Sequence, residues 1–295
     1  MRHSLLSVAS GIVTQVGLLL PPLRRIRDER DRLTAELDHA YCRLSSFSRV
    51  DQATQDLFLV LASHFSPRRA VGFRKIRVGR GTDGGYVLLD AFERVSSALS
   101  LGIAGECSWD LDIAVRGIEV YQFDHACEGP PLEHERFHFF NRNIATTAND
   151  VADDFCAALA RLEGPQDRLI LKMDIEGMEW DIFDTAAAED LARFSQIVCE
   201  FHQFPRAIEE GWRLRAIRAM EKLKAIFEVV HIHANNCSGI LPIANVPFPE
   251  TLEVTFANRA FFKFEDALEL FPTTLDRPNL QDVPDIFLGA FLFRR

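Results

Sequence analysis

The chain has 295 residues, 47% of them hydrophobic, so it can bury a full core without metal ions or disulfides. Its formal net charge of -10 at pH 7 argues against a nucleic-acid-binding protein, because neutralising phosphates requires clustered lysine and arginine side chains. A small or neutral substrate fits this charge better. The six cysteines are scattered and form no C-x-x-C pair, which predicts reduced thiols in a cytoplasmic protein.

The N-terminus contains an apolar segment, residues 5–20, that stops at Pro21 and Pro22. Four polar side chains interrupt this segment, and it is shorter than the roughly 20 apolar residues of a transmembrane helix. We therefore expect residues 1–20 to form an amphipathic or partner-binding helix. Peripheral membrane association is the alternative interpretation.

Apolar residues follow a heptad spacing over residues 23–44, with charged residues at most other positions. The positions on this seam are Leu23, Ile26, Leu33, Leu37, Ala40 and Leu44. The pattern predicts either a short coiled coil, which would form a homo-oligomer, or a helix that lies on its own domain. A second amphipathic helix is predicted over residues 52–64. We place a helical extension at residues 1–66 and an α/β domain at residues 67–295.

From residue 73 onward, short apolar runs alternate with helical stretches, a pattern typical of βαβ units and a mostly parallel sheet. The predicted strands cover residues 98–102, 119–124, 137–141, 168–174, 196–201, 227–233, 252–257 and 286–293. The predicted helices between them cover residues 110–116, 148–162, 180–190 and 207–224. The predicted fold class is therefore α/β, a Rossmann-like sheet with helices on both faces.

The first of these strands runs into a loop that contains Gly102 and Gly105. Such a loop between a strand and a helix lets a ligand approach the backbone closely, although its spacing differs from the G-x-G-x-x-G fingerprint. Asp124, at the end of the second strand, is placed to accept hydrogen bonds from the ribose of an adenosine ligand, or else to cap an ordinary turn. Asn143 follows the third strand and would flank an adenine, although loop asparagines also serve turn geometry alone.

Three later strands end in titratable side chains. These are Lys172, Asp174 and Glu176 on the fourth strand, Glu200 and His202 on the fifth, and His231 and His233 on the sixth. The first three would share one face if their strand stayed extended, and a Lys172–Asp174 ion pair is the alternative. Because the carboxyl ends of parallel strands meet at one edge, where open α/β sheets bind ligands, we expect a functional site there.

The chain resembles the FkbM-like branch of class I SAM-dependent methyltransferases over roughly residues 77–257. The matching pieces are RVGRGTDGGY at residues 77–86, the loop at 100–108, VYQFD at 120–124, KMDIEGME at 172–179, EFH at 200–202 and HANN at 233–236. The resemblance implies a seven-stranded sheet with an antiparallel strand near the C-terminus. It also implies SAM as the methyl donor, and O-methylation of a sugar, glycan or secondary-metabolite hydroxyl.

The resemblance also implies positions for the cofactor. Gly102 and Gly105 would line the methionine part of SAM, and Asp124 would hold its ribose. The segment of Asp83, Gly84, Gly85 and Tyr86 would close over the pocket.

Two catalytic mechanisms stay open. His202 or His233 is a candidate general base for the acceptor hydroxyl, since an imidazole titrates near neutral pH. Alternatively, Asp174, Glu200 and His202 bind Mg²⁺ or another divalent cation that lowers the pKa of a coordinated hydroxyl, which we favour because carboxylates and histidines converge there.

Two other functions compete with methyl transfer. One is an NAD(P)-dependent Rossmann oxidoreductase, which shares the glycine loop and the ribose acid. The other is a catalytically inert SAM-fold scaffold that acts through its N-terminal coiled coil.

Overall fold

The computed structural model describes residues 29, 32–33, 36–37, 40–41, 43–165 and 167–293 of the chain. It divides the chain into two compact units, Met1–Ser45 and Ser46–Arg295. Within those described residues, no helix is long and apolar enough to cross a membrane.

The first unit contains the predicted heptad seam. The described residues between positions 29 and 45 are helical, and Leu33, Leu37 and Leu44 expose about half or more of their surface. Leu23 and Ile26, together with the apolar segment before them, lie outside the described residues. The coiled coil and the homo-oligomer therefore stay predictions.

The second unit consists of strands and helices whose bounds follow. The strands are β1 (Arg68–Ala70), β2 (Lys75–Val78), β3 (Tyr86–Leu89), β4 (Ser97–Leu101), β5 (Glu119–Phe123), β6 (Phe137–Phe140), β7 (Asn143–Ile144), β8 (Ala152–Asp153), β9 (Leu169–Met173), β10 (Phe194–Phe201), β11 (Phe227–Ala234), β12 (Ile240–Ile243), β13 (Val246–Pro249), β14 (Leu252–Asn258) and β15 (Phe264–Asp266). The helices are α1 (Gln52–Ser63), α2 (Ser108–Ala114), α3 (Phe155–Ala160), α4 (Glu179–Thr185), α5 (Ala188–Leu191) and α6 (Glu210–Ile226), with a 3₁₀ helix at Phe204–Ile208.

Helix α1 belongs to this second unit, whereas we had placed its residues in an extension at 1–66. Phe58 in α1 and Phe65 just after it are fully buried. The ring of Phe65 meets that of Phe201 in β10 edge-on, with the two centroids 5.5 Å apart. Burial of these aromatic rings joins α1 to the α/β core.

The core is a seven-stranded sheet in the order β11-β14-β10-β9-β4-β5-β6. The pairs from β10 to β6 are parallel, and β14 is antiparallel to both β10 and β11. This confirms the predicted Rossmann-like sheet and the antiparallel strand near the C-terminus.

Three predicted elements differ from the structure. Residues 286–293 form no strand, and only Gly289 makes a single bridge, to Phe271. The apolar pattern there reflects packing instead, because Phe291 is buried against the core while Phe287 is exposed. The predicted helix at 148–162 shortens to α3, since β8 precedes it, and the predicted helix at 180–190 is split into α4 and α5.

The two faces of the sheet differ in chemistry. One face is mainly apolar, as at Leu171 and Cys199, and packs against α1, α4 and α6. On the other face, buried polar side chains occupy the positions next to the carboxyl ends of the parallel strands and the adjoining part of β14. They are Ser100, Gln122, Lys172, Glu200, His233 and Glu253. The twofold alternation of the strands thus gathers polar groups at one edge.

Candidate functional site

The site lies where the strand order reverses. The chain leaves β4 toward β5 on one side and later places β9 on the other side of β4. Open α/β sheets bind ligands at the carboxyl ends of such strands. Gly102 follows β4 and Asp174 follows β9, and the N–H of Asp174 donates to the carbonyl of Leu101 at 2.9 Å. The predicted cofactor loop therefore lies beside the first predicted metal ligand.

Asp124 lies at the end of β5, as predicted, and organises the cofactor loop. One carboxylate oxygen accepts hydrogen bonds from the N–H groups of Ile103 at 2.9 Å and Ala104 at 2.7 Å. The other accepts from the N–H of Ala126 at 2.6 Å. A Cβ atom at Gly105 would meet no atom within 4 Å, so the loop faces open space at that position.

The predicted lid segment packs against this loop. A Cβ atom at Gly84 would lie 2.1 Å from a carboxylate oxygen of Glu106, which belongs to the loop. Its neighbour Asp83 accepts a hydrogen bond from the side chain of Asn279 at 3.0 Å, and a Cβ atom at Gly85 would meet the carbonyl of Arg80 at 2.0 Å. The backbone leaves no room for a side chain at Gly85, and a side chain at Gly84 would require Glu106 to move.

Asn143 lies in the small strand β7, which pairs with β8 and not with the large sheet. It is exposed, and its N–H donates to the carbonyl of Val151 at 3.0 Å. Its backbone therefore serves a local turn, and its predicted contact with an adenine stays a prediction.

The structure brings together the three residues that we predicted as a metal site. One ligand atom each from Asp174, Glu200 and His202 can be chosen so that all lie within 4.8 Å of one another. The Nε2 atom of His202 lies 3.9 Å from an oxygen of Asp174 and 3.9 Å from an oxygen of Glu200. Glu200 is buried, while the other two are partly accessible.

Hydrogen bonds orient both carboxylates of this cluster. The hydroxyl of Tyr86 donates to Asp174 at 3.1 Å, and the side-chain amide of Asn235 donates to Glu200 at 2.6 Å. The sequence predicts Tyr86 as part of the lid segment and neither donor as a partner of these carboxylates, although each lies in a segment that carries the family resemblance. The family resemblance marks the two segments that contain these donors. No local sequence pattern shows which carboxylate each donor will contact.

His202 is surrounded by negative charge. Its Nδ1 atom lies 3.1 Å from an oxygen of Glu179, and its Nε2 atom lies 3.6 Å from an oxygen of Glu176. Burial lowers the pKa of His202, but the hydrogen bond and charge of Glu179, with the charges of Glu200 and Asp174, raise that pKa to about 10. The imidazole is therefore protonated near neutral pH, which disfavours it as a general base in this state.

Glu200 is a buried carboxyl group next to a second carboxylate, that of Asp174. Its burial and the charge of Asp174 raise the pKa of its carboxyl well above the ordinary value, and His202 and Asn235 offset only part of this effect. The site thus holds more carboxylate than its own donors neutralise, which is an electrostatic setting that favours a cation.

The fourth strand does not stay extended as far as Glu176. It ends at Met173, and Glu176 has a left-handed φ of 56° in the turn that follows. The ammonium group of Lys172 donates to the carbonyl of Gly102, so the alternative ion pair with Asp174 does not form. Lys172 holds the cofactor loop instead.

His233 lies between two carboxylates. Its Nδ1 atom is 3.0 Å from Glu253 and its Nε2 atom is 3.0 Å from Asp285. Burial lowers its pKa, but these two contacts and further acidic neighbours raise it to about 10. Both ring nitrogens are thus engaged, which disfavours His233 as the general base. His231 makes a similar contact, 2.7 Å, with Asp276.

The carboxylates that engage these two histidines come from the C-terminal segment as well as from the sheet. Asp276 and Asp285 lie in irregular chain that covers the polar face, where we had predicted only a strand at 286–293. Sequence reasoning missed these residues because loop aspartates carry no periodicity.

Residues 145–233 match the model of the methyltransferase FkbM domain. The resemblance to the FkbM-like methyltransferases is confirmed. The matched part contains β9 and β10, and therefore all three residues of the predicted metal site. This match and the sheet order support a methyltransferase, a family that implies SAM as the methyl donor. They argue against the nicotinamide-dependent oxidoreductase.

Comparison with known proteins adds distant structural neighbours. No curated protein matches this chain. Fibrillarin, solved in complex with Nop5p, is 12% identical, with a TM-score of 0.33 over 55% of this chain and 72% of the other. A Pyrococcus horikoshii protein assigned as an RNA methyltransferase is 13% identical, with a TM-score of 0.30 over 56% and 75% of the two chains. A Streptococcus thermophilus protein assigned as a hemolysin is 12% identical, with a TM-score of 0.31 over 68% and 75%.

Proposed function

We propose that this methyltransferase methylates a hydroxyl group of a sugar, glycan or secondary metabolite, with a divalent cation that orients the hydroxyl. The observation that carries the proposal is the convergence of Asp174, Glu200 and His202 at one strand edge, directly beside the loop of Gly102. Two carboxylates and one imidazole form a donor set that suits Mg²⁺ or Mn²⁺.

The loop residues fit SAM. Asp124 uses three acceptor positions for backbone N–H groups, and a carboxylate offers about four, so a ribose hydroxyl can still bind. Gly105 faces open space, as a residue that lines the methionine part of the cofactor would. When bound, SAM supplies a methyl group on a sulfonium, and the protein must hold the acceptor oxygen in line with it.

The acidic cluster fits a divalent cation. Asp174 and Glu200 would each supply an oxygen, while Tyr86 and Asn235 keep these carboxylates oriented. His202 would supply Nε2 after losing its proton. Coordination of the acceptor hydroxyl to such a cation would lower the pKa of that hydroxyl. The high pKa of His202 supports this mechanism over general-base catalysis, because the proton occupies the place that the cation would take.

Calorimetric titration of the chelator-treated protein tests the proposal. We expect SAM binding without metal, one Mn²⁺ bound per chain, and loss of Mn²⁺ binding in Asp174→Asn with SAM binding retained. The control Asp285→Asn changes a carboxylate that contacts His233 and should keep both. Methyl transfer to nucleotide sugars and glycan fragments should then require the metal.

Two results would overturn parts of this proposal. If turnover survives exhaustive chelation, the metal is not required, and His202 is again the candidate general base. Tight SAM binding without turnover on any acceptor would favour the inert scaffold. Contacts of residues 1–20 with a membrane or partner, and a cytoplasmic location, remain predictions that these titrations do not address.

A further inference from the structure

Glu179 is a fully buried carboxylate at the first position of α4. Its Oε1 atom accepts hydrogen bonds from the N–H groups of Ile175 and Gly177, both at 3.1 Å, and lies 3.1 Å from Nδ1 of His202. A buried carboxylate is stable only when donors surround it. Here the turn after β9 and one imidazole supply donors to Oε1, while the buried Oε2 has no hydrogen-bond partner among the described residues.

The turn that carries Glu179 admits little variation. Glu176 and Gly177 both have left-handed φ angles, 56° and 109°. A Cβ atom at Gly177 would lie 2.1 Å from the side-chain nitrogen of Gln203, so a side chain there would require Gln203 to move as well as a strained backbone. This close approach holds α4 against the chain that follows β10, with Glu179 beside His202.

Helix α4 contacts His202 at two points. Glu179 contacts the ring, and the indole N–H of the next residue, Trp180, donates to the main-chain carbonyl of His202 at 2.8 Å. The ring and the backbone of His202 are therefore held by successive residues of one helix. Such double anchoring restricts the direction in which the second ring nitrogen points.

We propose that Glu179 is a positioning residue: it binds the Nδ1–H group of His202 and thereby directs Nε2 toward Asp174 and Glu200. This inference rests on the proposed role of His202 as a metal ligand. The hydrogen bond of one ring nitrogen decides which nitrogen of a histidine is free to bind a metal. In this site the free nitrogen is Nε2, which lies 3.9 Å from each of the two carboxylates.

Three variants separate positioning from a merely structural role. Glu179→Ala removes the acceptor of the Nδ1–H group. Glu179→Gln keeps an oxygen acceptor at almost the same place and serves as the conservative variant. Asp285→Asn is the matched control, because Asp285 contacts a ring nitrogen of another histidine, Nε2 of His233, at 3.0 Å.

The experiment combines two measurements on chelator-treated protein that is labelled with ¹⁵N-histidine. The first is the slowly exchanging Nδ1–H resonance of His202, assigned by its absence in His202→Asn. The second is the affinity for Mn²⁺ by calorimetry. We expect Glu179→Ala to lose the resonance and to bind Mn²⁺ about 10- to 100-fold more weakly. Glu179→Gln should keep the resonance and lose less Mn²⁺ affinity, and Asp285→Asn should change neither the resonance nor the affinity.

The outcomes distinguish this inference from the proposed function. If the resonance and the Mn²⁺ affinity are unchanged in Glu179→Ala, Glu179 does not position His202. If the wild-type protein binds no Mn²⁺, the metal proposal fails. The resonance in the metal-free protein then still shows whether Glu179 holds the ring. If Glu179→Ala does not fold, the test uses a folded Glu179→Gln. Loss of the Nδ1–H resonance of His202 in that variant would overturn the inference, and its retention would support the inference.

Discussion

The carbonyl oxygen of Asp174 occupies the space that a side chain at Gly102 would need, since a Cβ atom at Gly102 would lie 1.8 Å from that oxygen. Gly102 also has a left-handed φ of 78°. The end of β4 and the turn after β9 therefore meet at one backbone contact. Because of this contact, the cofactor loop and the proposed metal ligand cannot move independently.

This contact predicts a large effect of Gly102→Ala. The left-handed backbone alone should lower the free energy of unfolding by about 1–2 kcal/mol, and the clash with Asp174 adds to that loss. Gly105→Ala is the matched control, because its Cβ would meet no atom within 4 Å. It should unfold like the wild type in denaturant but bind SAM more weakly if Gly105 lines the cofactor. A Gly102→Ala protein as stable as the wild type would contradict the close approach.

Metal binding should release a proton from His202. Because its pKa is about 10, His202 is protonated at pH 7.5 and must lose that proton to coordinate. Mn²⁺ affinity should therefore rise as the pH increases toward 10, by about tenfold per pH unit for one proton. Calorimetry in two buffers of different ionisation enthalpy counts the protons. His202→Asn, if it still binds, should release one proton fewer, and equal proton release would exclude His202 as a ligand.

Asn235 and Asn236 are adjacent but should have separate effects. Asn235 donates to Glu200, whereas Asn236 donates to the carbonyls of Leu280 and Val283 in the C-terminal segment. Asn235→Ala leaves a buried carboxylate oxygen without this donor, and should weaken Mn²⁺ binding. Asn236→Ala should lower the free energy of unfolding by about 1–3 kcal/mol, with Mn²⁺ affinity unchanged. Equal Mn²⁺ affinities in the two variants would contradict a role for Asn235 at the metal site.

The pair of Asp276 and His231 should make stability depend on acidic pH. Burial raises the pKa of Asp276, but the hydrogen bond and charge of His231 outweigh burial and lower that pKa from 3.8 to about 2. Burial lowers the pKa of His231 itself below its ordinary value, so the charge of His231 acts on Asp276 only at acidic pH. A carboxyl group whose pKa is lower in the folded state than in the unfolded state stabilises the protein at pH values above the unfolded-state pKa. This stabilisation is lost as the pH falls through the folded-state pKa. Asp276 should thus contribute about 2 kcal/mol above pH 4 and little below pH 2.

Denaturant unfolding between pH 2 and pH 7 tests this contribution. The difference in stability between the wild type and Asp276→Asn should shrink as the pH falls from 4 to 2. The control Asp266→Asn changes an exposed carboxylate that pairs with Arg68, and its pH profile should follow that of the wild type. A difference that stays constant with pH would show that Asp276 is not ionised against His231.

Local patterns predicted the strands of the large sheet well. The runs that became β4, β9 and β10 are short and apolar, and each ends in a glycine or a charged residue, so their positions follow from hydrophobic periodicity. The same reasoning failed at residues 286–293, and at residues 148–162 it predicted a helix longer than α3. The apolar residues of 286–293 pack from irregular chain, which periodicity cannot distinguish from a strand.

The sequence by itself determined the α/β class, the methyltransferase resemblance and the presence of Asp174, Glu200 and His202 at strand ends. The carboxyl ends of parallel strands share one edge, so those three residues had to lie near one another. Only the tertiary structure decided which groups surround them. Glu179 contacts His202 and both nitrogens of His233 face carboxylates because α4 and the C-terminal segment fold onto the sheet. Such contacts depend on the three-dimensional path of the chain, which local patterns do not contain.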